Sequence, residues 1–245
     1  MEIIRSRQNE LIKRFIALGS DAKARREAGE FLCAGDKLLR EAVSSGGEIT
    51  CVLSTEPVSD LPFRLVTPEL LGAVSPLQHS GGPVFTVRMR PLPPAGSVRR
   101  AIVLENVQDP GNVGTVLRTA DAFGIDLVIL CGACADPYNP KTVRASMGAI
   151  FRQPVVRTEL SGLPEALGGL PMYGAALRTD AADIRELPDT PLAVAVGNEG
   201  KGLTEGLLEL CEGTVVIPMR PWAESLNAGV AAAVAMWEMV RSWQS

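Results

Sequence analysis

Hydrophobic and polar residues follow two different patterns along the chain. In the N-terminal part, apolar residues recur at helical spacing at about 8–18 and 36–45. Short strand-like runs lie at Ile49–Leu53, Arg64–Val66 and Val84–Val87. This mixture predicts a small α/β domain.

From residue 101 onward, the apolar runs are short and continuous rather than alternating. They lie at Ala101–Leu104, Leu127–Leu130, Leu192–Val196 and Val215–Ile217, with helical patterns between them. Strands that are apolar on both faces and separated by helices are typical of a parallel sheet covered by helices on both sides. The fold class predicted for the C-terminal part is therefore α/β with a parallel sheet.

A proline-rich segment, Pro91–Ser97, separates the two patterns. It has three prolines within four residues, which favours an extended spacer over a helix or a central strand. We therefore predict two domains, 1–96 and 97–245.

Composition and charge indicate which partners and which compartment the protein is suited to. Residues 1–100 hold 14 Lys and Arg against 11 Asp and Glu, whereas residues 101–245 hold 10 against 17. The basic surplus suggests that the first domain meets a polyanion, although a solvated surface gives the same count. No apolar stretch is long enough to span a bilayer, and five irregularly spaced cysteines suggest a reducing compartment. We expect a cytoplasmic location and no membrane partner.

Ligands of parallel α/β sheets bind beyond the carboxyl ends of the strands, which points to the loops 105–112, 197–203 and 218–225. In the first loop, Asp109-Pro-Gly predicts a turn, and Asn112 is suited to cap the following helix. Arg118 lies off the apolar stripe of that helix. Two interpretations stay open: a surface pair with Asp121, or a guanidinium that grips a phosphate.

The second loop, Gly197–Gly202, fits neither the Walker spacing nor the dinucleotide spacing of glycines. Glu199 within it favours a hydroxyl or a cation over a phosphate, and a tight turn before a helix explains the same glycines. In the third loop, Ser225 and Asn227 precede a helix rich in Ala and Gly at 228–235. They are suited to bind a ligand or simply to cap that helix, and its small residues suit either the core or a subunit interface.

In order and spacing, the three loops resemble the three motifs of the SpoU family of RNA methyltransferases. Leu104–Gly124 is similar to the first motif, Val196–Leu203 to the second and Ile217–Asn227 to the third. Asn139–Gly148 resembles a further segment of these enzymes. The resemblance covers nearly all of residues 101–240.

The N-terminal part resembles the ribosomal-protein-like RNA-binding domain of the family in Ser6–Asn9 with Lys13 and in Phe31–Ala42. It departs from that pattern at two places. Ala34 stands where such proteins often carry Glu, and Ser75–Gly82 differs from the usual Pro-Gln-Gly turn.

The resemblance implies a parallel sheet with a deep trefoil knot and S-adenosylmethionine (AdoMet) as the cofactor, with Gly197, Ile217 and Leu226 lining its pocket. It implies methyl transfer to a ribose 2′-hydroxyl of RNA, ribosomal RNA more than transfer RNA, without a metal. It also implies a homodimer in which the arginine of one subunit assists the site of the other. The catalytic residues implied by the resemblance are Arg118, Asn112, Glu199, Ser225 and Asn227.

The chemistry of Arg118 favours an anchoring role. A guanidinium has a pKa above about 12 and is not readily deprotonated, so we interpret Arg118 as a phosphate anchor rather than a general base. Ser225 and Asn227 then position the hydroxyl. The single histidine, His79, lies in the other half of the chain, which argues against a histidine-based relay.

Three other functions remain as alternatives. The same fold serves a tRNA 2′-O-methyltransferase or a non-catalytic RNA-binding or ribosome-assembly protein. Cys131 and Cys134 form a CxxC pair, which suggests a metal or redox site, although no second pair lies nearby.

Overall fold

A computed structural model of the protein describes residues 3–58, 60–76, 82–93, 96–220, 222 and 224–241. The altered turn at Ser75–Gly82 falls mainly in one of the gaps, so His79 and most of that turn lie outside the described residues. No helix within the described ranges is long and apolar enough to cross a membrane.

Helices and strands follow one another as the hydrophobic pattern predicts, with several short additional elements. The strands are β1 (Ile3–Ile4), β2 (Glu30–Ala34), β3 (Ile49–Ser54), β4 (Phe63–Val66), β5 (Val84–Arg88), β6 (Arg100–Glu105), β7 (Leu127–Cys131), β8 (Val155–Thr158), β9 (Met172–Ala175), β10 (Ala182–Asp183), β11 (Leu192–Val196) and β12 (Gly213–Val216). The α-helices are α1 (Glu10–Ser20), α2 (Ala22–Ala28), α3 (Asp36–Ser44), α4 (Pro68–Val74), α5 (Pro110–Phe123), α6 (Pro140–Ala145), α7 (Leu163–Leu167), α8 (Glu205–Leu208) and α9 (Ala228–Val240).

The chain divides into two units at different places from the predicted boundary at residue 96. Unit 1 consists of Met1–Arg90 together with Asp136–Arg152, and unit 2 of Pro91–Ala135 together with Gln153–Ser245. The proline run thus opens unit 2. The return of residues 136–152 to unit 1 has no counterpart in the hydrophobic pattern, because it depends on contacts between distant parts of the chain.

Unit 1 contains a mixed sheet, which agrees with the predicted α/β domain. Among the described residues its strand order is β1-β4-β3-β5-β2. β5 is antiparallel to both β2 and β3, and β4 is parallel to β1 and β3. Ile12, Phe15 and Leu18 of α1 pack with Leu70 and Leu71 of α4 in the core on this sheet.

Residues 136–152 are joined to the rest of unit 1 by a buried ion pair and by aromatic packing. The Arg25 guanidinium donates from Nε (2.9 Å) and Nη2 (2.6 Å) to Oδ2 of Asp136, and from Nη1 to the carbonyl of Leu18 at 2.7 Å. Phe31 packs against Tyr138 and Phe151, with ring centroids 4.9 and 6.0 Å apart. This segment is therefore part of the core of unit 1.

Replacing Arg25 with methionine is expected to destabilise unit 1 by about 3 kcal/mol, because it leaves the Asp136 carboxylate in a largely buried position without its cation. Denaturant unfolding gives the free energy of unfolding, and hydrogen exchange of the β2 amides reports the stability of unit 1 itself. The matched control is Lys23→Met on the same helix, where the ion pair with Glu27 is exposed and contributes less than about 1 kcal/mol. Equal stability of the two variants would contradict a structural role for the buried pair.

Unit 2 confirms the predicted parallel sheet. Its strand order among the described residues is β10-β12-β9-β11-β6-β7-β8, and every adjacent pair is parallel. The central strands β7 and β11 are buried along their whole length, as continuous apolar runs require. Helices α5 and α9 pack against each other, and α9 also packs on β6 and β11.

Candidate active site

The three loops predicted to bind ligand leave the same edge of the unit 2 sheet. They follow β6, β11 and β12, and because the sheet is parallel the carboxyl ends of these strands point the same way. The strand between β11 and β12 is β9, so the second and third loops leave strands only two positions apart. This edge is the candidate active site.

Asn112 connects the first and second loops. Asp109, rather than Asn112, caps α5: its side chain accepts a hydrogen bond from the Asn112 N–H at 2.8 Å. The prediction that Asn112 caps this helix was therefore wrong, because Pro110 begins the helix and places Asn112 within its first turn. The Asn112 amide instead donates from Nδ2 to Oε1 of Glu199.

Asn227 adds the third loop to this network. Its Nδ2 donates to Oδ1 of Asn112 at 3.0 Å. Its Oδ1 accepts from the backbone N–H groups of Gly229 (3.0 Å) and Val230 (3.3 Å), so Asn227 is the N-cap of α9. One side chain therefore fixes both the start of α9 and the orientation of the Asn112 amide, and three of the five predicted catalytic residues form one hydrogen-bonded chain.

Glu105, at the end of β6, holds the end of the second loop in place through hydrogen bonds to Thr204. It is 3% exposed, and its two carboxylate oxygens accept from the backbone N–H of Thr204 (2.8 Å) and from its hydroxyl (2.6 Å). Thr204 is the N-cap of α8, where its hydroxyl oxygen accepts from Leu207 N–H. The sequence interpretation assigned no role to Glu105; a carboxylate at the end of a buried apolar run was the available signal.

Asn106 fixes the adjacent turns. It has a left-handed backbone with φ +56°, and its side-chain oxygen accepts from Ala133 N–H at 2.9 Å. Its carbonyl accepts from Nδ2 of Asn198 at 3.2 Å, and Oδ1 of Asn198 accepts from Gly200 N–H at 2.9 Å. The first and second loops are thus held together by hydrogen bonds to backbone groups as well as by the Asn112–Glu199 contact.

We expect Glu105→Gln to weaken cofactor binding, because glutamine can accept from only one of the two Thr204 donors and leaves the other buried without a partner. A loss of about tenfold corresponds to about 1.4 kcal/mol and is measurable by calorimetric titration with AdoMet. Thr204→Val removes the hydroxyl donor alone, and the double variant gives the coupling between the two residues. Additive effects of the two substitutions would argue against this anchor.

A cavity of about 630 Å³ opens at this edge. It lies within the range of about 300–1,000 Å³ that is typical of small-molecule sites. Its walls comprise residues 175–178, 196–203, 215–217, 219, 224–226 and 228, among others. All three residues predicted to line a cofactor pocket, Gly197, Ile217 and Leu226, line this cavity, as do Glu199 and Ser225.

The second loop forms a tight turn that requires glycine at 197. Gly202 N–H donates to the carbonyl of Asn198 at 2.8 Å, and Gly202 has φ +67°. A Cβ at Gly197 would collide with the backbone of Gly202 and Leu203. The close approach of backbone to backbone leaves peptide groups at the cavity wall, where they can hydrogen-bond a ligand.

Arg118 and Ser225 do not join the hydrogen-bonded chain. Ser225 is exposed at the wall of the cavity. Arg118 is exposed on α5, and among the described residues it makes no side-chain hydrogen bond or ion pair, so the proposed surface pair with Asp121 is not formed. The structure therefore brings Asn112, Glu199 and Asn227 together and leaves Arg118 available to another molecule.

Cys131 ends β7 and Cys134 lies in the loop that follows, and neither residue lines the cavity. Cys131 and Cys134 are buried, and Sγ of Cys134 donates to the carbonyl of Leu104 at 3.2 Å. Burial raises the pKa of Cys131 to about 11 and also raises the pKa of Cys134, so both thiols are protonated at neutral pH. Within the described ranges no three His, Cys, Asp or Glu residues are grouped to hold a metal.

The sequence profile of the SpoU rRNA methylase family matches residues 99–237, which is more than half of the chain and includes all three loops. The chain belongs to this family. As a member of the SpoU family it is an RNA methyltransferase, and the family resemblance of the three loops is confirmed.

The sequence similarity between this SpoU enzyme and its relatives covers nearly the whole chain. A Bacillus subtilis protein named 23S rRNA (guanosine(2553)-2′-O)-methyltransferase is 34% identical, over 98% of this chain and 99% of its own length. A Streptomyces viridochromogenes protein named 23S rRNA (uridine(2479)-2′-O)-methyltransferase is 29% identical, over 96% and 90%. The crystal structure of an AdoMet-bound rRNA methyltransferase from Sinorhizobium meliloti matches with a TM-score of 0.84 at 26% identity and covers 100% of this chain and 99% of that one.

Proposed function

We propose that this SpoU enzyme transfers the methyl group of AdoMet to a ribose 2′-hydroxyl of large-subunit ribosomal RNA in the cytoplasm. The observation that carries the proposal is the hydrogen-bonded chain Asn227–Asn112–Glu199 beside a cavity lined by Gly197, among others. It is supported by two relatives named as 23S rRNA 2′-O-methyltransferases that align with at least 96% of the chain.

The cavity fits AdoMet by its chemistry as well as by its volume. AdoMet supplies an electrophilic methyl group on a sulfonium. Gly197 brings backbone amides to the wall, and Ile217 and Leu226 supply apolar surface. Arg178 and Glu205, which form an ion pair with each other at 3.5 Å, also line the cavity and can exchange that pair for the two charges of a zwitterionic amino acid group. These residues would hold the cofactor.

The catalytic side chains act by positioning. The side-chain oxygen of Asn227 accepts a hydrogen bond from the first turn of α9, and one N–H of its amide donates to Asn112. The second N–H of the amide therefore remains for the RNA. Glu199 accepts from Asn112 through Oε1, and its second oxygen can accept from a hydroxyl. Ser225, exposed on the cavity wall, orients the 2′-hydroxyl, and Arg118 anchors the adjacent phosphate through a bidentate contact.

A homodimer completes the site in this proposal. Arg118 is exposed on α5, which packs against α9, and α9 exposes Val230 (49%) and Trp237 (44%). Exposed large apolar side chains on α9, the helix that packs against the one carrying Arg118, suit contact with a second copy, whose cavity then receives Arg118. Sedimentation at micromolar concentration tests the oligomeric state, and a fully active monomer would exclude the homodimer.

The finer features of the fold form part of the same proposal. We infer a trefoil knot in the C-terminal part of unit 2, supported by the strand order, in which β12 lies between β9 and β10. Unit 1 serves as the ribosomal-protein-like RNA-binding domain. Its residues 1–90 and 136–152 contain 15 Lys and Arg against 12 Asp and Glu, a surplus that favours a polyanionic partner.

The deciding experiment incubates the protein and methyl-labelled AdoMet with unmodified 23S rRNA, 16S rRNA and tRNA transcribed in vitro. We expect label in 23S rRNA alone, at one ribose that becomes resistant to alkaline cleavage after it. Transfer to tRNA would replace the proposed substrate. Binding of AdoMet without transfer to any of these RNAs would support the non-catalytic alternative instead.

A further inference from the structure

A second cavity, of about 200 Å³, lies within unit 1, and we call it the unit 1 pocket. Cys33, Lys37 and Leu38, from β2 and α3, form one wall. Val143 and Met147, from α6 and the turn after it, form the other. The pocket is smaller than the roughly 300 Å³ at which drug-sized sites begin, so it suits a single small ring system.

Both walls come from segments that resemble the family outside its three motifs. One wall belongs to Phe31–Ala42 and the other to Asn139–Gly148, more than 95 residues apart in sequence. The hydrogen-bonded chain and the cofactor cavity use neither segment.

The charge around the unit 1 pocket favours an anionic ligand with an apolar part. Lys37 and Arg144 line the pocket and are exposed to solvent. Glu41, a carboxylate on the same wall, forms an ion pair with Arg152 at 3.3 Å. Ala34, which also borders the pocket, contributes no charge.

Met147 has a backbone conformation that is unfavourable for its side chain. Its φ is +52°, in the left-handed region where non-glycine residues are strained, and 43% of its surface is exposed. A strained, exposed thioether at the edge of an apolar pocket is a feature that binding explains better than stability does.

We propose that the unit 1 pocket receives one unstacked nucleobase of the RNA substrate, while Lys37 and Arg144 bind the neighbouring phosphates. Sequence-specific RNA recognition commonly uses splayed bases held in pockets, and a planar guanidinium can also stack on a base. This inference rests on the proposed function, since it requires RNA as the substrate. It makes the unit 1 pocket a contributor to the choice of RNA.

The first test fills the pocket without changing charge. Leu38→Phe is expected to weaken binding of in vitro transcribed 23S rRNA by about tenfold in filter-binding assays, because a filled pocket cannot admit a base. Met147→Gly is a second kind of variant. It relieves the strained backbone, so we expect an unchanged or higher melting temperature together with weaker RNA binding.

The second test separates the rim cations from general charge. Lys37→Ala with Arg144→Ala is compared with Arg40→Ala with Lys141→Ala, which removes the same charge from the same two helices at exposed positions that do not line the pocket. We expect the first pair to lower affinity by about tenfold and to reduce the salt dependence by about two ions. The control pair is expected to change affinity less than about threefold.

The outcomes distinguish this inference from the proposed function. Wild-type affinity for 23S rRNA in correctly folded Leu38→Phe and Met147→Gly variants overturns the proposal that this pocket binds a base, as does equal weakening by the two cation pairs. If the unit 1 pocket variants lose RNA binding while the unmodified enzyme transfers no methyl group to that RNA, the pocket is supported and the proposed function fails.

Discussion

We expect Arg118→Lys to lower kcat for methylation of 23S rRNA by about 100-fold and to leave AdoMet affinity and melting temperature unchanged. Lysine keeps the positive charge but lacks the planar fork of a guanidinium, so it holds the phosphate at one point only. The ribose is then misplaced relative to the methyl group, and a displacement of this kind lowers kcat by about 100-fold. Stability is unaffected because Arg118 is exposed and contacts no other side chain through a polar bond among the described residues. Single-turnover kinetics measure the effect, and full activity in Arg118→Lys would refute the bidentate contact.

The pH dependence of Arg118→Lys separates an anchor from a base. A base at this position would change its pKa from above about 12 to about 10.4, and the rising limb of the pH–rate profile would move to lower pH. An anchor leaves the shape of the profile unchanged. We expect the second result.

Mixed dimers test whether Arg118 acts on the partner's site. Arg118→Ala and Gly197→Ala chains are each expected to be inactive alone. If the arginine acts across the interface, a mixed dimer has one complete site, formed by the intact cavity of the first chain and the intact arginine of the second. Random exchange then restores about a quarter of wild-type activity, whereas action within one chain restores none.

Gly197→Ala is expected to weaken AdoMet binding by at least about 100-fold, or about 2.7 kcal/mol. The new methyl group collides with the backbone of Gly202 and Leu203, and backbone cannot move aside as a flexible side chain can. Both residues line the cavity proposed to hold AdoMet, so their displacement changes its wall directly. Calorimetric titration with AdoMet gives the affinity, and the melting temperature reports any general loss of structure.

Gly200→Ala is the matched control in the same loop. A Cβ there meets only Oδ1 of Asn198, at 3.5 Å, an ordinary van der Waals distance. We expect less than about a threefold change in affinity, since no backbone must move. If both variants lose the cofactor to the same extent, the loop needs flexibility throughout and not a specific close contact at Gly197.

The strands of unit 2 were predictable where they are long and apolar. β6, β7 and β11 coincide within one residue with the continuous runs at Ala101–Leu104, Leu127–Leu130 and Leu192–Val196. β8, β9 and β10 were not predicted. Met172–Ala175 contains a glycine and β10 has two residues, so neither carries a hydrophobic pattern long enough to be distinguished from a loop.

The sequence by itself determined the α/β class, the parallel sheet and the three loops at its edge. These follow from local hydrophobic runs and turn residues, and the family match identifies the enzyme class from the order of the same loops. Only the tertiary structure decided the partners of the polar side chains: Asn112 with Glu199 and Asn227, and Glu105 with Thr204. It also returned residues 136–152 to unit 1 through the Arg25–Asp136 pair. The physical reason is that a hydrogen bond or ion pair joins residues about 90 to 115 positions apart, and such a partner is set by packing rather than by the residues beside it in sequence.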